Sequence, residues 1–294
     1  MSVNCKQLVV SALGRRQQQG LTLIEIMVAL LIGVFLLAGV IQIFIVNKQT
    51  YRVQENLSRM QENGRFAIDY LNRYIRLAGY ITTKSLNDTR YKDLSRNSTT
   101  GQNDGSSITS ALFGNSGNKA IAGTNGDGLN SSDSITVRYQ ADPPADGQMD
   151  DCLGNTVSSP NGDVIVANRF FLKADASNSN QPTLYCEPQP KTDLAEQPVI
   201  SGVENMQIRY CAPADSTDTN IGCVLAGNDV SDWNQIQSVR VSLLLRSADD
   251  NLVTQPQPYQ FDINGDGVNE TITPSDKRLR RVFTTTIAVR NLVK

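Results

Sequence analysis

Histidine is absent from this 294-residue chain. Its absence excludes the Ser-His-Asp triad, zinc sites with histidine ligands and acid–base catalysis by imidazole. The sequence also lacks a Gly-x-Ser-x-Gly elbow, a Walker phosphate loop and a dinucleotide fingerprint followed by a helix. We therefore expect a protein that is not an enzyme, and a periplasmic enzyme on a membrane anchor is the least favoured alternative.

An excess of positive charge and closely spaced cysteine pairs are missing as well. The formal net charge is −2, which argues against nucleic acid binding. No two of the five cysteines form a CxxC motif, so a four-cysteine zinc site is not favoured either. Since 39% of the residues are hydrophobic, much of the chain can form a core.

The sequence contains one long apolar run, which follows Gly20. It extends from Leu21 almost unbroken to Val46, with Glu25 as its single charged residue. The stretch from Ile26 onward has about 21 residues, and as a helix it would measure about 31 Å, the thickness of the hydrocarbon core of a bilayer. We therefore predict one membrane span at about residues 21–46.

Basic residues precede this run. Lys6, Arg15 and Arg16 lie before it and no acidic residue does, so we expect a cytoplasmic N-terminus, a single inner-membrane pass and a periplasmic C-terminal part. A secretory signal fits poorly because its apolar core is shorter. A plain signal-anchor explains the length, but it explains neither Gly20 nor Glu25. An isolated carboxylate costs about 2.5–3.5 kcal/mol at mid-bilayer.

The motif Gly20-Leu21-Thr22-Leu23-Ile24-Glu25 resembles the class III signal of type IV prepilins. The resemblance implies that residues 1–20 are a leader, that a prepilin peptidase cuts between Gly20 and Leu21, and that Leu21 is then N-methylated. It also implies that Glu25 aligns the subunit in a filament, where the terminal ammonium of a neighbouring subunit can offset the carboxylate. Phenylalanine usually follows the cut in that family, whereas this chain has Leu21.

An amphipathic pattern continues beyond Val46. Apolar side chains recur in steps of three or four, as expected for a helix with one buried face, at Val53, Leu57, Met60, Gly64, Ala67, Leu71, Tyr74 and Ala78. We predict a spine helix over residues 21–80, half in the membrane and half packed on its own domain. This is the layout of a pilin.

Four further segments resemble the PilW group of minor pilins, and together they span nearly the whole chain: residues 64–80, 133–139, 239–246 and 283–291. The resemblance implies a minor pilin that joins other minor pilins in a complex that primes type IV pilus assembly and is located at the pilus tip. The major pilin, the prepilin peptidase and a tip adhesin would be further partners, and the protein would pass from the inner membrane to the pilus on the cell surface. Two alternatives stay open: a pseudopilin of type II secretion, and a membrane-anchored, calcium-dependent adhesin or binding module.

Residues 81–294 are predicted to form an exported, β-rich domain. Residues 81–130 are rich in Asn, Ser, Thr and Gly, which predicts a long irregular region. Later segments alternate apolar and polar residues, as at Val239-Arg240-Val241-Ser242, which is typical of strands. We therefore predict an α+β fold in which a mainly antiparallel sheet packs on the spine helix.

Four cysteines lie in this exported part, namely Cys152, Cys186, Cys211 and Cys223, while Cys5 precedes the apolar run. In an oxidising compartment the four can form two disulfides, each worth about 3–4 kcal/mol in the entropic treatment of loop closure. Three connectivities are possible, and sequential pairing is the simplest of them.

Calcium is the one cofactor that the sequence suggests. Asp262, Asn264, Asp266 and Glu270 place oxygen side chains at positions one, three, five and nine of one segment, a pattern that suits a hard cation. A standard EF-hand would need glutamate at position twelve, where this chain has Thr273. A tight turn of Asn, Asp and Gly explains the same residues without a metal.

Overall fold

The computed structural model describes residues 20–80, 119–141, 150–155, 164–189, 196–213, 221–225, 230 and 233–291. Among these residues one helix, α1 (Leu23–Ile75), precedes eleven strands. The strands are β1 (Ile121–Thr124), β2 (Ser134–Ala141), β3 (Val164–Asp175), β4 (Gln181–Gln189), β5 (Gln197–Ser201), β6 (Val203–Pro213), β7 (Ile221–Val224), β8 (Ser238–Arg246), β9 (Tyr259–Phe261), β10 (Glu270–Ile272) and β11 (Arg280–Ala288). The chain divides into two compact units between Tyr51 and Arg52.

The first unit contains, in its described part, the N-terminal portion of α1. Its large apolar side chains are exposed, from Leu23 at 77% to Phe35 at 73% and Val46 at 54%. By length and composition, this helix can cross a membrane. Such an apolar surface is stable in lipid or against other apolar helices, where all backbone groups are already paired within the helix.

The second unit contains two antiparallel sheets and a hairpin. The first sheet has five strands in the order β1-β2-β3-β4-β5, and the second has four in the order β11-β8-β6-β7. Strands β9 and β10 form a separate pair. All the described pairings are antiparallel, so the predicted α+β class with a mainly antiparallel sheet is confirmed, and the structure divides the strands between two main sheets.

The second part of α1 packs on both sheets through its apolar stripe. Met60, Ala67 and Leu71 are buried, as the spacing predicts. The ring of Tyr74 lies 5.6 Å from that of Phe170 in β3, which joins the helix to the five-stranded sheet. This burial of one helix face against strands supplies most of the helix's stability, because propensity alone contributes little.

Gly64 places the helix against the four-stranded sheet. A Cβ atom at this position would lie 2.4 Å from the ring of Phe283 in β11. Only a residue without a side chain lets the ring approach the helix backbone so closely. The glycine therefore serves the close packing of helix and sheet.

The helix is shorter at its C-terminal end than predicted. It ends at Ile75, and residues 76–79 form turns. Gly79 has a positive φ of 75°, and its N–H donates to the carbonyl of Arg138 at 2.9 Å. Residue 80, where we predicted the end of the spine helix, therefore follows these turns. Gly79, in the left-handed region, prevents the chain from continuing as a helix.

Part of the stretch predicted to be irregular is ordered. Strand β1 lies within it and pairs with β2, with Ala122 opposite Thr136. Residues 81–118 lie outside the described residues, as does most of the leader, residues 1–19.

Asp133 links the two sheets. Its side chain is fully buried, and its carboxylate accepts hydrogen bonds from the N–H of Ile208 at 2.7 Å and of Gly126 at 2.9 Å. Its own N–H donates to the carbonyl of Met206 at 2.8 Å. Burial raises the pKa of this carboxyl to about 6, because desolvation outweighs the two backbone hydrogen bonds that lower it.

Candidate functional site

Gly20 occupies a position where the fold does not require glycine. A Cβ atom there would have nothing within 4 Å, and Gly20 is not among the glycines with positive φ. Within the described residues, neither steric crowding nor a left-handed backbone accounts for this glycine.

Thr22 caps the start of α1. Its carbonyl accepts from the N–H groups of Glu25 at 3.1 Å and Ile26 at 3.2 Å, and its hydroxyl oxygen lies 3.4 Å from the N–H of Glu25. A Thr at the N-cap with Glu three residues later is the pattern of a capping box. The signal, Thr22-Leu23-Ile24-Glu25, can be read directly in the sequence.

Glu25 lies exposed in the first turn of the helix. A carboxylate in this turn is stabilised by the positive end of the helix dipole, by about 0.3–1 kcal/mol in exposed sites. Cleavage between Gly20 and Leu21 would create an ammonium group four residues before it, at the same end of the helix. The arrangement therefore presents one carboxylate at the edge of an otherwise apolar helix surface.

The four cysteines of the second unit form the sequential pairs. Cys152 is bonded to Cys186 and Cys211 to Cys223. Cys211 and Cys223 lie directly opposite each other in the β6–β7 pair. The loops of 34 and 12 residues correspond to about 4 and about 3 kcal/mol in the entropic treatment.

Three tyrosine hydroxyls bind three consecutive carbonyls next to the first disulfide. Tyr139 donates to Asp150 at 2.8 Å, Tyr74 donates to Asp151 at 3.0 Å, and Tyr70 donates to Cys152. Burial raises the pKa of all three phenols, so they stay protonated and remain donors. We call residues 150–152 with these hydroxyls the tyrosine clamp, which ties the helix and β2 to the disulfide-bonded loop.

The predicted calcium ligands lie together in the turn between β9 and β10, where they bond mainly to the turn itself. Asp262 accepts from the N–H of Gly267 at 2.8 Å, Asp266 accepts from the N–H of Val268 at 2.7 Å, and Glu270 accepts from Ile263 at 3.1 Å. The side chain of Asn264 accepts from the N–H of Asp266 at 3.1 Å. Within the described part of the chain, no group of three or more His, Cys, Asp or Glu residues could hold a metal. Calcium binding therefore stays a prediction.

Comparison with known proteins gives two matches to family models. Residues 169–291 match Type IV Pilus-assembly protein W, and residues 15–41 match the prokaryotic N-terminal methylation motif. Comparison with curated proteins gives no match. A type IV-like pilin from Thermus thermophilus is similar among solved structures at 9% identity, covering 59% of this chain and 84% of that chain, with a TM-score of 0.35.

A capped apolar helix with a prepilin signal, followed by an antiparallel β domain, defines a type IV pilin-like protein. Within that class, residues 169–291 are similar to the PilW family of pilus-assembly proteins. The resemblance to class III prepilins and to the PilW group, inferred from the sequence, is thereby confirmed.

Proposed function

We propose that this protein is a minor pilin of the type IV pilus, which joins other minor pilins in a complex that primes pilus assembly and is located at the pilus tip. The observation that carries the proposal is the combination of a prepilin signal at residues 15–41 with a PilW match at residues 169–291. We further propose that Gly20 and Leu21 flank the peptidase cut, and that Leu21 is N-methylated. The role is structural, through assembly with other subunits.

The start of the helix supports the proposed processing. Glycine at position 20 meets no internal requirement, which is consistent with selection by a peptidase. Lys6, Arg15 and Arg16 precede the apolar run, so the cut would occur on the cytoplasmic side. The mature protein would then begin with a short apolar segment, a threonine cap and Glu25.

The exposed apolar helix supports assembly with other membrane helices. Gly33 and Gly39 lie within α1, and no atom of the described part of the chain would lie within 4 Å of a Cβ atom on either. Each glycine costs about 0.8–1 kcal/mol relative to alanine in a helix interior. Small residues let the backbones of neighbouring membrane helices approach closely. We propose that these positions face helices of other pilins, with the major pilin and other minor pilins as partners.

A pseudopilin of type II secretion would share the signal and the spine, and the PilW match is what favours the pilus. Deletion of the gene separates the two roles. Our proposal predicts loss of surface pili and twitching with unchanged export of secreted enzymes, and rescue by the wild-type chain. Unchanged piliation with loss of enzyme export would instead establish the pseudopilin.

A further inference from the structure

A cleft lies between the four-stranded sheet and the β9–β10 hairpin. Its volume is about 270 Å³. The sheet contributes Arg209 from β6 and Arg240 and Ser242 from β8, and the hairpin contributes Asp262 and Asn269. Since side chains alternate across a strand, Arg240 and Ser242 face away from the core that Val239, Val241 and Leu243 form.

Two arginines lie directly opposite each other in this cleft. Arg209 and Arg240 are cross-strand partners in the β6–β8 pair. Like charges at such positions repel each other and destabilise the pair. In the described part of the chain, neither forms an ion pair, whereas Arg246 of β8 and Arg280 of β11 both pair with Glu204. The cleft therefore contains two cations that no described carboxylate balances in an ion pair.

Three polar atoms of lining residues lack hydrogen-bond partners within the described residues, but they have almost no accessible surface and lie beneath the cleft wall: Nε of Arg209, Oε1 of Gln207 and Oδ1 of Asp262. Other atoms of the same side chains are held in place. The guanidinium of Arg209 donates to the carbonyl of Cys223, and the second oxygen of Asp262 accepts from Gly267. These bonds hold Arg209 and Asp262 in position in the wall of the cleft.

We propose that this cleft binds a small hydroxylated carboxylic acid, with the chemistry of a uronic acid. The ligand's carboxylate would lie between Arg209 and Arg240, where guanidinium groups form strong, charge-assisted bonds. Its hydroxyl groups would bond to the side chains of Ser242 and Asn269, which line the cleft. A ligand with only a negative charge would leave these neutral polar side chains without a ligand partner, which favours a hydroxy acid. The site goes beyond the role in assembly and does not depend on it.

The size of the cleft is consistent with this class of ligand. A volume of 270 Å³ corresponds to about nine water molecules at about 30 Å³ each. A single sugar acid can replace such a group of waters and supply both kinds of hydrogen-bonding group. Small-molecule sites commonly combine a shaped cavity with a few convergent polar groups.

The test is a calorimetric titration of the full-length protein in detergent, with EGTA present to exclude calcium effects. Three probes separate the contributions: glucuronate, glucose, which lacks the carboxylate, and acetate, which lacks the hydroxyl groups. We expect glucuronate to bind at least about tenfold more tightly than either of the others. No heat with glucuronate at about 10 mM, or equal binding of glucose or acetate, would overturn the proposal.

Variants assign the binding to the cleft. Arg240→Gln should weaken glucuronate binding about tenfold, and Arg240→Lys, which keeps the charge, should weaken it less. Arg240 is exposed, so both variants should fold. The matched control is Arg65→Gln, on the exposed face of α1 in an ion pair with Asp69, which should bind like the wild type. Unchanged binding in Arg240→Gln would contradict the assignment.

Discussion

The backbone N–H of Glu25 lies 3.4 Å from the hydroxyl oxygen of Thr22, so Glu25 has a position in the cap of its own helix. An N-cap threonine is worth about 0.5–2 kcal/mol relative to alanine. A defect in a Glu25 variant could therefore arise from a weakened helix start as well as from lost contact with a neighbouring subunit. An alignment role depends on the charge of Glu25, whereas a capping role depends on the hydrogen bonds at the start of the helix, so variants can separate the two.

Substitution of Glu25 by Gln should impair incorporation into pili. Glutamine is also accepted at this position of a capping box, so the variant removes the charge and keeps the cap. The matched control is Thr22→Ala, which removes the capping side chain and keeps the charge. It should destabilise the helix start by about 1 kcal/mol but still be incorporated.

Immunoblots of sheared pili and of co-purified minor pilins measure how much of the Glu25→Gln and Thr22→Ala variants is incorporated, after cleavage of each variant has been verified. Normal incorporation of the Gln variant, or equal defects in both variants, would count against an alignment role for Glu25.

Removal of one hydroxyl from the tyrosine clamp should weaken the second unit. Tyr74→Phe removes the donor at 3.0 Å from the carbonyl of Asp151, which still accepts from the N–H of Gly154 at 3.1 Å. We therefore expect the free energy of unfolding to fall by about 0.5–1.5 kcal/mol, measured by chemical denaturation. Tyr51→Phe is the control, because Tyr51 is 66% exposed and should change little. Equal stability of the two variants would show that the clamp does not contribute.

Asp133 predicts a pH dependence of folding stability. Its pKa is raised from 3.8 to about 6 in the folded protein, so the folded state binds the proton more tightly than the unfolded state. The carboxyl is mostly ionised in the folded protein above about pH 6, and the destabilisation that this causes is relieved as the pH falls from about 6 towards 3.8. From this group alone, the free energy of unfolding should rise by about 2 kcal/mol between pH 7 and pH 4.

The variant Asp133→Asn should lose this rise, because it cannot ionise. It should also be less stable at both pH values, since an amide can accept from only one of the two backbone N–H groups. Asp276 does not interfere, because its hydrogen bonds with Arg280 lower its pKa to about 2 and its contribution is lost only below about pH 4. Identical pH profiles for wild type and variant would refute the assignment.

Calcium, if it binds to the β9–β10 turn, should bind weakly. The carboxylates of Asp262, Asp266 and Glu270 already accept hydrogen bonds within the turn, and a cation must replace them. We expect a Kd no tighter than about 10⁻⁴–10⁻³ M, as in extracellular calcium modules. Calorimetry should show heat for the wild type that Asp266→Ala lacks, whereas absence of heat in both would remove the metal from the account.

Local patterns in the sequence predicted the local parts of the fold. The apolar stripe through Met60, Ala67 and Leu71 follows from helical spacing alone, and these residues are buried. Asn56 is also buried, although it is polar, because it pairs with Asp249, which lies 193 positions along the chain. A contact of that separation leaves no local pattern. For the same reason, the tyrosine clamp could not be found from the sequence.

The remaining differences also have physical reasons. Strand β1 was missed because Ile-Ala-Gly-Thr has little β-forming character, and its pairing with β2 decides its conformation. The Thr22 cap is local and was present as a signal in the sequence. The disulfide pairing depends on which strands become neighbours, and spacing left three connectivities open.

The mass of the intact protein extracted from membranes tests the central claim most directly. The account predicts a chain that begins at Leu21, carries one added methyl group, lacks Cys5 and has lost two hydrogens for each of the two disulfides. Gly20→Ala should block this cut and leave the mass of the precursor. A native protein that retains residues 1–20 while pili form normally would contradict the account.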